Sequence, residues 1–133
     1  MGYRKVLLPV SGKYHLKRAM LALEQALQIV DKDGEIYFLH CVENSAASYL
    51  SERQAHPLEK RGQDAGIKCL VYFIEGSPAM EIPRFATEKK CDVLVMFSGE
   101  RNKLGKLIGK LVMGSITERV LHATNIPMLL VRA

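Results

Sequence analysis

The stretch SGERNKLGKLIGKLVMGS, residues 98–115, gathers residues that could hold an anion. Ser98, Gly99, Gly105, Gly109, Gly114 and Ser115 alternate with Arg101, Lys103, Lys106 and Lys110; against Glu100, the segment carries +3 of the chain's net +5. Glycine lets backbone amides approach a phosphate closely, and a nearby cation neutralises it. Two readings of the segment stand side by side. In the first, amides around Gly114 and Ser115, at a helix N-terminus, bind a phosphate while Lys106 or Lys110 offsets its charge. In the second, the segment is a solvated basic loop, part of it a short amphipathic helix. Leu104, Leu107, Ile108, Leu111 and Val112 recur at helical steps, which places Lys103, Lys106 and Lys110 on the outer face.

Other chemistry is weakly represented. No glycine-rich loop with the spacing of the nucleoside-triphosphatases follows a strand, so hydrolysis is not expected, and no residue is assigned a catalytic role. Ser11 is a nucleophile only if a base approaches it. His40 sits in an apolar run and reads as a hydrogen-bonded core or crevice histidine rather than a base. His15, His56 and His122 fall on expected helices, and none has the Cys, His or Asp spacing that a metal needs. Cys41, Cys69 and Cys91 are odd in number, far apart and set in apolar runs, as small buried hydrophobes are.

These residues need elements to position them. With 133 residues, 48% hydrophobic and 25% charged, the chain fits one globular domain over 1–133 with a single core. Arg4–Val10, Glu35–Val42, Ile67–Ile74, Cys91–Phe97 and Ile126–Val131 are short apolar runs and read as five strands covered on both faces. Between them come helices: Tyr14–Val30, closed by Asp31-Lys32-Asp33-Gly34; Ala47–Asp64, interrupted at His56-Pro57; one opened by a Ser77 side-chain cap with Pro78 at its first position and Pro83 inside; and Ser115–Ala123, opened by the capping box Ser115-Ile116-Thr117-Glu118. Strand and helix alternate, so the expected fold is an α/β three-layer, doubly wound parallel sheet. Ligands of such sheets lie beyond the carboxyl ends of the strands, here Val10-Ser11-Gly12, Val42-Glu43 and Phe97-Ser98-Gly99.

Nearly the whole chain resembles the universal stress protein family: KVLLPV in the first strand, LHCVE closing the second, EGSPAMEIPRFATEKKCDVLVM through the third helix and fourth strand, and GSITERVLHATNIPMLLVR at the end. The resemblance implies strand order 3-2-1-4-5, a fold like that of the adenine-nucleotide alpha hydrolases, and a homodimer joined along the fifth strands through Ile126, Met128, Leu129, Leu130 and Val131. It also implies a division into members that bind ATP and members that do not. The ATP-binding members resemble one another in an aspartate ending the first strand and in a G-x-x-G, nine residues, G-S/T pattern after the fourth. Here the aspartate position falls on Ser11; the first glycines fall on Phe97 and Glu100, or on Arg101 and Leu104 if counted back from Gly114; only Gly114 and Ser115 match.

The expected function is a small, cytoplasmic, dimeric stress-response module that is not an enzyme and lacks the standard ATP motif. The alternative is an ATP- or AMP-binding member that uses the altered basic loop. Its ligand residues would be Pro9, Val10, Ser11, Cys41, Ser98, Gly99, Gly105, Gly109, Lys110, Gly114 and Ser115. A metal, nucleic acid or membrane partner is not expected: the charge is mild, no apolar run reaches the roughly 20 residues of a membrane span, and the start lacks a signal-peptide core.

Overall fold

The structure, a computed structural model, describes residues 2–10, 16–42, 57–97 and 115–132. Its elements are β1 (Tyr3–Val10), α1 (Leu16–Ile29), β2 (Val30–Val42), helical residues 57–64 as α2, β3 (Lys68–Glu75), α3 (Pro78–Glu88), β4 (Val93–Phe97), α4 (Ser115–Ala123) and β5 (Met128–Val131). All strand pairs are parallel, and the order across the sheet is β3-β2-β1-β4-β5. The predicted topology and layering are therefore those observed. Among the described residues, no helix is long and apolar enough to cross a membrane.

Continuous apolar strands follow from cover on both faces. On one face Val6, Leu8, Val10, Ile36, Phe38, Val93 and Val95 pack under Ala22, Leu23 and Ala26 of α1 and Leu58 of α2. On the other, Leu7, Tyr37, Leu39, Cys41, Leu94 and Met96 pack under Ile82, Phe85 and Ala86 of α3 and Val120 of α4. Successive residues of a strand point to opposite layers, so β1 and β4 need apolar side chains at every central position. Each fully buried Leu, Ile, Val or Phe contributes roughly 1.5–3 kcal/mol by leaving water.

Two local expectations are corrected. Asp31–Gly34 does not form a turn after α1: β2 starts at Val30 and pairs at once with β1, its register slipping between Tyr3↔Val30 and Lys5↔Glu35. The slip brings two backbones together, and a Cβ on Gly34 would stand 2.8 Å from the Arg4 carbonyl oxygen. Ser77 caps α3 without a side-chain bond; its own carbonyl accepts from the Met80 and Glu81 amides at 3.1 and 2.9 Å. Pro83 withholds an amide from α3 but does not end it. The expected helix from Ala47 is helical over 57–64, and its earlier part lies outside the described residues.

Candidate functional site

Parallel strands end on one side of the sheet, so Val10, Val42, Glu75, Phe97 and Val131 mark a common rim. Across it, Val10 pairs with His40, His40 with Phe73, and Phe97 with Val131. Val10 is 4% exposed and His40 2%, so β1 closes on an apolar, buried residue. The His40 ring stacks on Phe73 with centroids 4.7 Å apart and planes 18° from parallel. Burial lowers its pKa to about 4, which keeps the imidazole neutral near pH 7 and makes it a poor proton acceptor there.

Phe97, at the tip of β4, is half-buried against the α1 layer. Two neighbours fix it. The Thr117 hydroxyl, on the first turn of α4 and 4% exposed, donates to the Phe97 carbonyl oxygen at 3.4 Å. From the other side, the Arg18 guanidinium lies over the Phe97 ring, 5.5 Å from its centroid. The first turn of α1 contains no acidic residue, and Arg18 forms no ion pair with any described carboxylate. A half-buried cation thus stands at the rim between α1 and β4, near the helix end that cations avoid.

Sequence reasoning passed over Arg18, which lies within the expected helix Tyr14–Val30. The signal was two successive cations, Lys17 and Arg18, opening the helix after the first strand.

Of the expected ligand residues, Pro9 and Val10 reach the rim on β1, and Ser115 opens α4, the helix tied to β4 through Thr117. Cys41 is near the end of β2, but its side chain packs in the α3–α4 layer, opposite to Val10. There it is 3% exposed, and burial, with Glu81 nearby, pushes its thiol up to about 11, so it stays protonated and unreactive. Ser11, Ser98, Gly99, Gly105, Gly109, Lys110 and Gly114 lie outside the described residues. His122 is exposed in the last turn of α4. Among the described residues, no three His, Cys, Asp or Glu side chains come together as metal ligands would.

The expected interface residues lie on or beside β5, an end strand of the sheet. Leu129 and Val131 face the α1 layer, while Ile126, Met128 and Leu130 face the α3–α4 layer. All except Val131 keep part of their surface exposed.

Comparison with known proteins gives a consistent result. Residues 2–132 match the Universal stress protein family. A universal stress protein of Methanocaldococcus jannaschii is 30% identical over 147 aligned residues, covering 98% of this chain and 82% of that protein. Another, from Methanothermobacter thermautotrophicus, is 27% identical, covering 98% and 96%. Among solved structures, one from Archaeoglobus fulgidus superposes with a TM-score of 0.75 at 17% identity, covering 97% of this chain and 98% of the other. A universal stress protein in complex with cAMP superposes at 0.73 and 19% identity, covering 98% of each.

Proposed function

The chain belongs to the universal stress protein family, and we propose that it serves there as a cytoplasmic, homodimeric, non-enzymatic stress-response module without the standard ATP motif, acting through partners or a small bound anion. One observation carries this reading. Where a gapless alignment with the ATP-binding pattern asks for the first glycine, the chain has Phe97, whose ring is half-buried and covered by Arg18. A bare backbone at that point would let amides approach a triphosphate; an aromatic ring fills the space instead. Val10 adds to this, since the strand it closes is followed by Ser11, which offers no carboxylate to a ribose.

A second reading, an ATP- or AMP-binding member with an altered basic loop, draws on two facts. A structural relative was solved with cAMP, and the rim carries a cation, Arg18, with no described carboxylate beside it. Calorimetric titration with magnesium and ATP separates the two. Silence up to about millimolar nucleotide supports the first reading; binding near tens of micromolar or tighter, lost in Gly114→Val or Lys110→Glu, establishes the second. Mass spectrometry of the protein as purified shows whether a nucleotide is carried along, and phosphate release over hours tests for hydrolysis.

A further inference from the structure

We propose that the outer edge of β3 is a docking site for an extended segment of another protein, which adds to the sheet as a further strand and carries an acidic residue toward α3 at one end and a basic residue toward α2 at the other. This rests on the first reading above, in which the chain acts through partners, and names the partner's chemistry. Among the described residues no strand lies beyond β3, so one of its sides has backbone groups unpaired within the sheet. Its other side runs in register with β2 over all eight residues, from Glu35↔Lys68 to Val42↔Glu75, without the slip seen between β1 and β2. Proline, a bulge or an inward charge ordinarily blunts such an edge. Between its ends KCLVYFIE has none of these, and its six central side chains are all half-buried. A straight edge whose apolar side chains alternate between two layers suits main-chain strand addition.

The charges along this edge differ by face. Lys68 alternates with the side of Leu70, Tyr72 and Ile74, which pack toward the α3–α4 layer. Its ion pair with Glu35, at 3.6 Å, leaves the lysine side chain 69% exposed, and Lys89 adds a second cation on that face, 5.0 Å from the centroid of the Tyr72 ring. Glu75 falls on the opposite side with Cys69 and Val71, toward α1 and α2. Glu59 of α2 lies near Cys69, where it adds to the effect of burial in raising the thiol. One face is thus cationic and the other acidic. A second copy does not match this pattern. Twofold antiparallel pairing keeps each face with its own kind, so Lys68 of one copy and Glu75 of the other point to opposite layers and do not pair. A foreign segment is free of that constraint and can set an acid opposite Lys68 and a base opposite Glu75, as cross-strand pairs prefer.

The test follows backbone amide shifts of the isotope-labelled full chain during titration with two end-capped peptides, Glu-Val-Thr-Val-Thr-Val-Thr-Lys and the same peptide ending in Glu. Alternate amides between Lys68 and Glu75 should shift, saturating below about millimolar peptide. Wild type should bind the peptide ending in Lys roughly two- to fivefold more tightly, the scale of an exposed ion pair, and Glu75→Lys should reverse the order. The comparison holds whichever way the peptide runs, because only the sum of matched ends changes. Of two peptides methylated on the backbone nitrogens of either the Val or the Thr residues, one should lose binding. Equal binding of both overturns strand addition. No shift in β3 up to about millimolar peptide, or the same order of affinity in wild type and Glu75→Lys, overturns the proposal. Shifts in β3 that grow with protein concentration alone put a second copy on this edge and overturn it as well. Nucleotide is absent throughout, so these outcomes are read separately from the ATP titration, which alone bears on the choice between the two readings above.

Discussion

His40 shows how one residue's chemistry is set by its surroundings. Its ring is stacked on Phe73 and sealed from water, and burial brings its pKa from 6.5 to about 4. In the unfolded chain it would titrate near the ordinary value, so between about pH 6.5 and 4 the unfolded state binds the extra proton. Stability from this group is thus complete above the unfolded pKa and is lost as pH falls through that window, by up to about 3 kcal/mol. We expect urea unfolding of wild type and His40→Gln to show a stability difference that shifts against wild type by up to that amount between pH 7 and pH 4. A difference independent of pH would contradict a depressed histidine. Sequence placed His40 in the core correctly because an apolar strand surrounds it. It could not show Arg18 reaching Phe97, since these residues lie far apart in the chain and meet only when α1 packs over β4.

At the scale of elements, the same helix stop is built twice. After α2, Gly66 takes φ +80°, with Gly66 N–H donating to Gln63 and Ile67 N–H to Gly62. After α3, Lys90 takes φ 54°, with Lys90 N–H donating to Thr87 at 3.2 Å and Cys91 N–H to Ala86 at 2.9 Å. Both are the paired closing bonds in which a left-handed residue satisfies the last carbonyls. Glycine adopts that conformation freely, whereas a lysine is crowded by its Cβ. Lys90→Gly should therefore stabilise the protein by about 0.5–1 kcal/mol, read as a raised melting temperature; the gain is less than the full strain because glycine also loosens the unfolded chain. No change or a loss would mean that the Lys90 side chain contributes more than its strain costs. The stop after α3 delivers Cys91 into the core and starts β4 on time, which is how the chain reaches Phe97 at the rim.

At the scale of the whole molecule, the sheet has two end strands, β3 and β5, each with one row of backbone groups unpaired within it. β5 is short, with Leu129 facing one layer and Met128 and Leu130 the other, all partly exposed. An edge of this kind invites a second copy, and twofold pairing would bury it. If so, Leu129→Asp or Leu130→Asp gives monomer or insoluble protein by light scattering; an unchanged dimer mass would remove β5 from the interface. Much of this architecture was legible beforehand. Apolar runs too short for helices, separated by helical periodicity, determine parallel strands under helices on both faces, because each strand residue must find cover. The strand order rested on resemblance, and the structure bears it out. Boundaries such as the early start of β2 escaped, because Asp31–Gly34 looks like a turn until β1 comes alongside and pairs with it. The candidate ligand residues divide in the same way. Residue identity alone put Ser11 where the resemblance implies an aspartate, and Phe97 and Glu100, or Arg101 and Leu104, where it implies glycines. Only the tertiary structure decided that Cys41 turns to one layer while Arg18 and Phe97 meet at the rim of the other, because facing and contact depend on which helix packs over which strand.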